Sequence, residues 1–274
     1  MNMSKKRVDV LLVERNLAET REKAKRIIMA GLVYTEQSRI DKPGIKVNED
    51  IPLTVKGKPI PYVGRGGLKL EKALKDFSIT VNNKIMVDIG SSTGGFTDCA
   101  LQNGIKKCYA IDVGYNQLAW KLRNDERVIV MERTNFRYVT ADMLQDTPDF
   151  ATIDVSFISL QLILPVLKDI LAPNSQIIAL IKPQFEAGRE QVGKKGIVRD
   201  RNVHVDVLEK TLTYARDLGY SIHGLTFSPV TGGDGNIEFL AHLGWKSTSS
   251  VFNDTRAGLK QFVENTHTHF QIEK

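Results

Sequence analysis

The stretch Ile85-Met86-Val87-Asp88-Ile89-Gly90-Ser91-Ser92-Thr93-Gly94-Gly95-Phe96-Thr97-Asp98 decides the fold. A short apolar run carrying one acid enters a turn with three glycines, and a helix-like segment follows. A strand, a glycine-rich turn and a helix form the opening unit of a doubly wound α/β sheet. The glycines let backbone approach a ligand closely. Their spacing separates ligand classes. A dinucleotide turn places them as G-x-G-x-x-G, whereas here they fall at 90, 94 and 95, which does not cradle a pyrophosphate.

Working outward, further short apolar runs occur at 108–112, Val128–Met131, 150–154 and 177–181. Helix-length stretches lie between them, among them 160–171 and 203–218. Apolar strands interleaved with helices imply a parallel sheet covered on both faces. The last two runs, 221–227 and 237–243, have no helix between them and are expected to form an antiparallel hairpin at one edge. That ending belongs to the methyltransferase version of the doubly wound fold. The second strand ends at Asp112, where a carboxylate can take both ribose hydroxyls of an adenosine cofactor. The turn and the acid together fit S-adenosylmethionine better than NAD. The expected fold is therefore α/β, a Rossmann-like class I methyltransferase sheet with an antiparallel edge hairpin.

Open α/β sheets do their chemistry at the C-terminal ends of the strands. Asp154 ends one apolar run, and Lys182 ends another, stopped at once by Pro183. Glu238 falls one residue into the final strand, after Gly232-Gly233-Asp234-Gly235, and alternation sets it on the face opposite Ile237, Phe239 and Ala241. Lys69 lies on the helix entering the domain, in Gly64-Arg65-Gly66-Gly67-Leu68-Lys69-Leu70. Any one of these alone reads as a solvated strand end. Two lysines and two acids on one edge read as a reactive cluster.

The first sixty residues differ in kind. Val8, Leu11 and Leu12 form the stripe of a short amphipathic helix. Thr20 is placed as the N-cap of a second helix, with Ala24, Ile27 and Ile28 inward and Arg21, Lys25 and Arg26 outward. Gly31 supplies a left-handed stop. Short β segments at 32–35 and 51–55, with Pro43-Gly44 turning between them, complete two helices on a small curled sheet. Gly57-Lys58-Pro59-Ile60-Pro61 reads as a stiff linker, which sets domains at 1–62 and 63–250 with a C-terminal helix or tail at 251–274. The net charge of +6 divides unevenly at that linker. Residues 1–62 carry 13 basic and 8 acidic side chains, and residues 63–274 carry 25 and 24. The excess positive charge sits on the small domain and implies a polyanionic partner there.

Composition excludes several classes. With 42% apolar and 26% charged residues the chain is neither disordered nor a disulfide scaffold. Cys99 and Cys108, with no His at ligand spacing, make no zinc site, and two reduced thiols suit a cytoplasmic protein. Apolar runs fall short of the roughly 18–20 residues of a membrane span, and the first residues lack a signal-peptide core.

The N-terminal segment resembles the RNA-binding domain named from ribosomal protein S-four, through Arg7-Val8-Asp9, Leu12, Thr20-Arg21, Ala24, Ile28, Gly31-Leu32-Val33 and Asp50-Ile51. Tyr34-Thr35-Glu36-Gln37 replaces that domain's usual Val-Asn-Gly hairpin. Over about residues 5 to 245 the chain resembles the TlyA family, which joins such a domain to an FtsJ-like methyltransferase domain. The stretches carrying the resemblance are 63–70, 87–98, Glu132-Arg133-Thr134-Asn135, 154–160, Lys182-Pro183-Gln184-Phe185-Glu186-Ala187-Gly188-Arg189 and 235–240.

The resemblance implies a Lys-Asp-Lys-Glu tetrad at Lys69, Asp154, Lys182 and Glu238. It implies S-adenosylmethionine held by Asp88, Gly90, Ser91, Ser92, Thr93, Gly94, Gly95, Phe96, Asp112 and Asn135. It implies ribosomal RNA or a ribosomal subunit as partner, gripped by Arg7, Arg21, Lys25, Arg26, Arg65 and Arg189. The reaction it implies is 2′-O-methylation of ribose on cytidine, with no metal and no membrane. Members are often labelled haemolysins, so a secreted pore-forming cytolysin is one competing reading. A non-catalytic RNA-binding ribosome assembly factor is another. A pseudouridine synthase, which can carry a similar N-terminal domain, conflicts with the parallel α/β pattern. The intact glycine turn and the four polar residues favour an enzyme.

Overall fold

Strand β1 (Lys5–Arg7) runs straight into helix α1 (Val8–Glu14), and a short loop leads to helix α2 (Arg21–Met29). The computed structural model describes residues 4–29, 31–36, 38–56, 60–232, 235–247, 252 and 254–272. Thr20 caps α2, its Oγ1 accepting the Lys23 N–H at 3.2 Å. Gly31, at φ +70°, ends the helix and donates its N–H to the Ile28 carbonyl. Val8, Leu12, Ala24, Ile28 and Val33 are fully buried between the helices and the strands that follow.

Those strands are β2 (Val33–Tyr34), β3 (Arg39–Ile40), β4 (Lys46–Asn48) and β5 (Thr54–Val55). They form two small sheets in place of one curled sheet. β2 lies between β3 and β5, while β4 pairs with β1. The division arises because the chain is already extended before α1, so Lys5, Lys6 and Arg7 take β4 as partner. The β2–β3 hairpin closes through Thr35 N–H to the Ser38 carbonyl at 2.8 Å and Ser38 N–H to Thr35 Oγ1 at 3.0 Å. Gln37, and Gly57, Lys58 and Pro59 of the linker, lie outside the described residues, as do Gly233 and Asp234.

The chain divides into units Met1–Gly67 and Leu68–Lys274. Helix α3 (Gly66–Asp76) starts at this division. There follow β6 (Ile85–Ile89), α4 (Gly95–Gln102), β7 (Lys107–Ile111), α5 (Trp120–Arg123), β8 (Val128–Met131) and β9 (Phe150–Ile153). The chain continues through α6 (Leu164–Ile170), β10 (Ser175–Ile181), α7 (Pro183–Glu186), α8 (Arg201–Asp217), β11 (Tyr220–Phe227), β12 (Phe239–Trp245) and α9 (Arg256–Ile272). The strands form one seven-stranded sheet in the order β11-β12-β10-β9-β6-β7-β8. All neighbours from β10 to β8 are parallel, and β12 is antiparallel to both β10 and β11. The expected edge hairpin is therefore present.

Three local expectations differ from the structure. The stretch 160–171 is not one helix: a single turn at Leu160–Leu162 precedes α6, whose first turn holds Pro165. Proline lacks the N–H that would continue the preceding turn. β10 begins at Ser175, ahead of its apolar run, because β12 pairs along its whole length from Ser175 opposite Trp245. Glu238 precedes β12 and is not inside it. Beyond these three, α9 packs on α8 and belongs to the core, with Leu259 and Val263 buried, Arg201 paired to Glu264 at 2.6 Å and His204 Nδ1 2.9 Å from His267 Nε2.

Candidate active site

The turn after β6 is fixed by sterics. Gly90 has φ +83°, and a Cβ there would stand 2.5 Å from the Asp154 carbonyl oxygen. Gly94 has φ +92°, and a Cβ there would meet Leu122 Cδ1 at 2.2 Å. Both positions demand glycine by conformation and by space. The turn is thus pressed against the end of β9 on one side and α5 on the other.

Asp88 is 1% exposed and holds the turn from within. Its Oδ2 accepts the Thr97 N–H (3.1 Å) and Oγ1–H (2.6 Å), and its Oδ1 accepts the Thr152 hydroxyl (2.8 Å). Burial pushes its carboxyl up to about 6, against the pull of those bonds. It ties β6, α4 and β9 together. Phe96, also buried, belongs to the same scaffold. Asp112 follows β7 and is half-buried. One of its oxygens accepts the Ser92 N–H and the other the Gly114 N–H, each at 2.7 Å. Each oxygen retains a second acceptor site.

Glu132, which the sequence offers only within the stretch Glu132-Arg133-Thr134-Asn135 and with no role, orders the neighbouring loop. It accepts the Gln117 N–H at 3.1 Å and pairs with Arg123 at 2.6 Å. Burial would raise its carboxyl, but backbone N–H donors and Arg123 outweigh that and hold it at about 2. Asn135 caps a short turn, its Oδ1 accepting the Arg137 N–H. The first N–H groups of α4, at Gly95 and Phe96, have no partner within the helix by helix geometry. An acceptor carboxylate at Asp112 and open N–H donors at a helix start fit S-adenosylmethionine, whose ribose diol needs the one and whose carboxylate needs the other.

The four edge residues meet. Lys69 Nζ donates to Glu238 Oε2 at 2.7 Å and lies 3.5 Å from Asp154 Oδ2. Lys182 Nζ lies 2.6 Å from Asp154 Oδ1 and donates to Ser156 Oγ at 3.0 Å. Both lysines are 8% exposed and Glu238 is 3% exposed. Burial would lower the Lys69 ammonium, but Asp154 and Glu238 outweigh it and its pKa stands above the ordinary lysine value. Burial likewise would raise Asp154, but Lys69 and Lys182 hold it below the ordinary carboxylate value. The cluster is a run of alternating charges whose most exposed member is Asp154.

Two features of its rim are absent from the sequence expectation. Phe157 is 91% exposed, has φ +63°, and packs on Phe185 with ring centroids 5.0 Å apart. Glu186 joins the loops after β9 and β10, accepting the Ser159 hydroxyl (2.6 Å) and the Leu160 N–H (2.8 Å), and burial pushes its carboxyl up. The signal for Phe157 was an aromatic residue three positions past Asp154, in the loop that leaves β9. Glu186 gave none.

The cations expected to meet RNA are differently placed. Arg7 and Arg21 both bind the fully buried Asp9, at 2.9 and 3.0 Å. Lys25 pairs with Glu22 at 2.8 Å. Arg26 is exposed and lines a pocket of about 460 Å³ with Asn16, Leu17, Ala18 and Ile60. Arg65 is half-buried and Arg189 exposed. Among the described residues no three His, Cys, Asp or Glu are grouped to hold a metal ion, and no helix is long and apolar enough to cross a membrane.

Known proteins share this architecture. The FtsJ-like methyltransferase family matches residues 62–245, and the S4 domain matches residues 6–50. Bacillus subtilis YqxC, described provisionally as an rRNA methyltransferase, is 70% identical over 246 residues, 89% of this chain and 88% of its own. The Mycobacterium tuberculosis 16S/23S rRNA (cytidine-2′-O)-methyltransferase TlyA is 41% identical over 86% of this chain and 89% of its own. A solved Streptococcus thermophilus structure carrying a hemolysin label is 54% identical, covers 99% of this chain and 98% of its own, and superposes with a TM-score of 0.79.

Proposed function

The chain belongs to the FtsJ-like methyltransferase family, and on that premise we propose that it methylates a ribose 2′-hydroxyl of ribosomal RNA, on cytidine. The observation that carries the reading is the contact at Gly90. The glycine turn suited to the cofactor touches Asp154, and Asp154 in turn holds both lysines of the buried cluster.

Asp112 is the residue to hold the adenosine ribose, and the start of α4 the methionine carboxylate. Gly90, Ser91, Ser92, Thr93, Gly94, Gly95 and Asn135 shape that cleft, while Asp88 and Phe96 stiffen it from inside. S-adenosylmethionine, when bound, supplies a methyl group on a cationic sulfur. A ribose hydroxyl is a weak nucleophile until its proton is shared. Lys182 Nζ, once it has given up its own proton, is the group to take the hydroxyl proton as the O–CH3 bond forms and the S–CH3 bond breaks, and Ser156 and Asp154 hold it in place. Lys69 stays charged and is therefore a positioning group that keeps Glu238 and Asp154 in place. Phe157 offers an open ring face on which the target base can stack. Holding oxygen, carbon and sulfur in line supplies further acceleration.

The N-terminal unit is the RNA anchor in this reading, through Arg7, Arg21, Lys25 and Arg26, with Arg65 and Arg189 as further contacts. The protein then works in the cytoplasm, where its substrate is. The test is transfer of labelled methyl from S-adenosylmethionine to 16S and 23S rRNA, with 2′-O-methylation mapped in cells with and without the gene. Loss of one or more mapped sites on deletion is expected. Unchanged ribose methylation in the deletion strain, with no transfer by pure protein, overturns the reading.

A further inference from the structure

The loop between α7 and α8 differs from the rest of the surface of its unit. Residues 188–199 carry Arg189, Lys194, Lys195 and Arg199 against one acid, Glu190. All four cations are exposed, and none makes an ion pair among the described residues. The loop is nevertheless held firmly. Gly193 donates its N–H to the Ile197 carbonyl at 3.0 Å, and Lys195 and Gly196 both take left-handed backbone, at φ +63° and +71°.

Its root is clamped by a buried amide. Asn236, 2% exposed, accepts the Val198 N–H at 2.9 Å and donates to the Gly196 carbonyl at 2.9 Å. Asn236 stands two residues before Glu238, the partner of Lys69. One side chain thus registers a cationic loop to the segment that delivers the reactive edge. The loop's apolar residues give a protein partner no anchor, because Val198 is buried and Val192 and Ile197 are half-buried.

We propose that Lys194, Lys195 and Arg199 form a phosphate clamp on the catalytic unit. It grips the substrate RNA backbone beside the target nucleotide and sets its register against the reacting edge. The proposal rests on RNA being the substrate and extends its purchase on the catalytic unit from Arg189 to Lys194, Lys195 and Arg199 of the same loop. Each lysine neutralising a phosphate releases condensed counterions, so the contact has a salt signature.

The experiment measures binding of transcribed 16S and 23S rRNA by the full chain across a salt series. Lys194→Glu with Lys195→Glu is expected to weaken binding about tenfold and to flatten the log–log salt dependence by about 1.5 to 2. Lys194→Gln with Lys195→Gln is expected to flatten it by a similar amount with a smaller loss of affinity, and S-adenosylmethionine affinity is expected to hold in both. Unchanged affinity and slope in both double variants overturn the clamp. So does an effect seen on assembled subunits and absent on naked RNA, which marks an acidic protein partner. If the wild-type protein binds RNA with this lysine-dependent slope but transfers no methyl group, the clamp stands and the proposed reaction falls. If it methylates and the charge-reversed protein binds as well as wild type, the reaction stands and the clamp falls.

Discussion

Asp9 and Asp154 each hold two cations, with opposite solvent exposure. Asp9 is fully buried, and its partners Arg7 and Arg21 keep 43% and 55% of their side chains in solvent. Asp154 keeps 21% of its side chain exposed, and its partners Lys69 and Lys182 are the buried members. Around Asp9 a hidden carboxylate aims two guanidinium forks outward. Guanidinium does not lose its proton in a protein, so this cluster can position and attract but not exchange protons. Around Asp154 the cations are amines in a desolvated edge, where a proton can move. A carboxylate between two cations is therefore an anchor or a reaction centre according to which member is buried and whether the cation can deprotonate.

The sharpest way to break this contrast is at Lys182. Lys182→Ala is expected to slow methyl transfer about 10³-fold, with S-adenosylmethionine affinity near wild type. Lys182→Arg, which keeps a cation beside Asp154, is expected not to rescue it. Single-turnover label transfer at saturating RNA decides the matter, and a rate within tenfold of wild type removes Lys182 from its role. Next in size is the cost of an orphaned charge. Lys69→Met strands the buried Glu238 and is expected to lose about 3–5 kcal/mol, most of it recovered by adding Glu238→Leu. Arg21→Ala, at the exposed cluster, is expected to lose about 1 kcal/mol or less. Urea midpoints compare the three, and equal losses at the two sites erase the distinction.

The anchoring role is tested by Arg21→Glu with Lys25→Glu, expected to weaken RNA binding about tenfold, or about 1.4 kcal/mol, without altering cofactor binding. Undiminished RNA affinity removes the N-terminal unit as anchor. The smallest effect is in acid. Arg7 and then Arg21 hold Asp9 at about 2, below its ordinary 3.8. A carboxylate depressed on folding stabilises the fold fully above its unfolded pKa and loses that contribution as pH falls through the folded one. Solvent around the arginines limits the contribution to about 1 kcal/mol or less. Asp9→Asn is expected to reduce stability at neutral pH and to flatten its decline between about pH 4 and pH 2, as followed by acid unfolding. An unchanged acid limb means the pair carries no net stability.

The parallel sheet, its edge hairpin and the four edge residues were legible in the sequence because apolar period, glycine spacing and strand ends are local signals. Charge pairing was not. The net charge of residues 1–62 places cations there, yet it does not reveal that Arg7 and Arg21 share Asp9 or that Lys25 faces Glu22. The family resemblance sets Asp88 among the cofactor-holding residues. Thr97 and Thr152 turn it into an internal brace, and the latter is 64 residues away. The role of Asn236 depends on contacts 38 and 40 residues distant. Pairings over such separations are set by the folded sheet and leave no periodic trace.

Because β12 runs against β10, it brings its beginning, and Glu238, to the edge where the parallel strands bring their ends. In chain order Glu238 is also the last of the four edge residues. During synthesis Lys69, Asp154 and Lys182 exist first, and Lys69 meets Glu238 only when the final hairpin slides β12 into place between β10 and β11. A nascent chain thus holds three of the four charges and no finished site. On the function proposed, a chain that has not yet formed β12 lacks the carboxylate that holds Lys69, and the edge is complete only in the finished sheet.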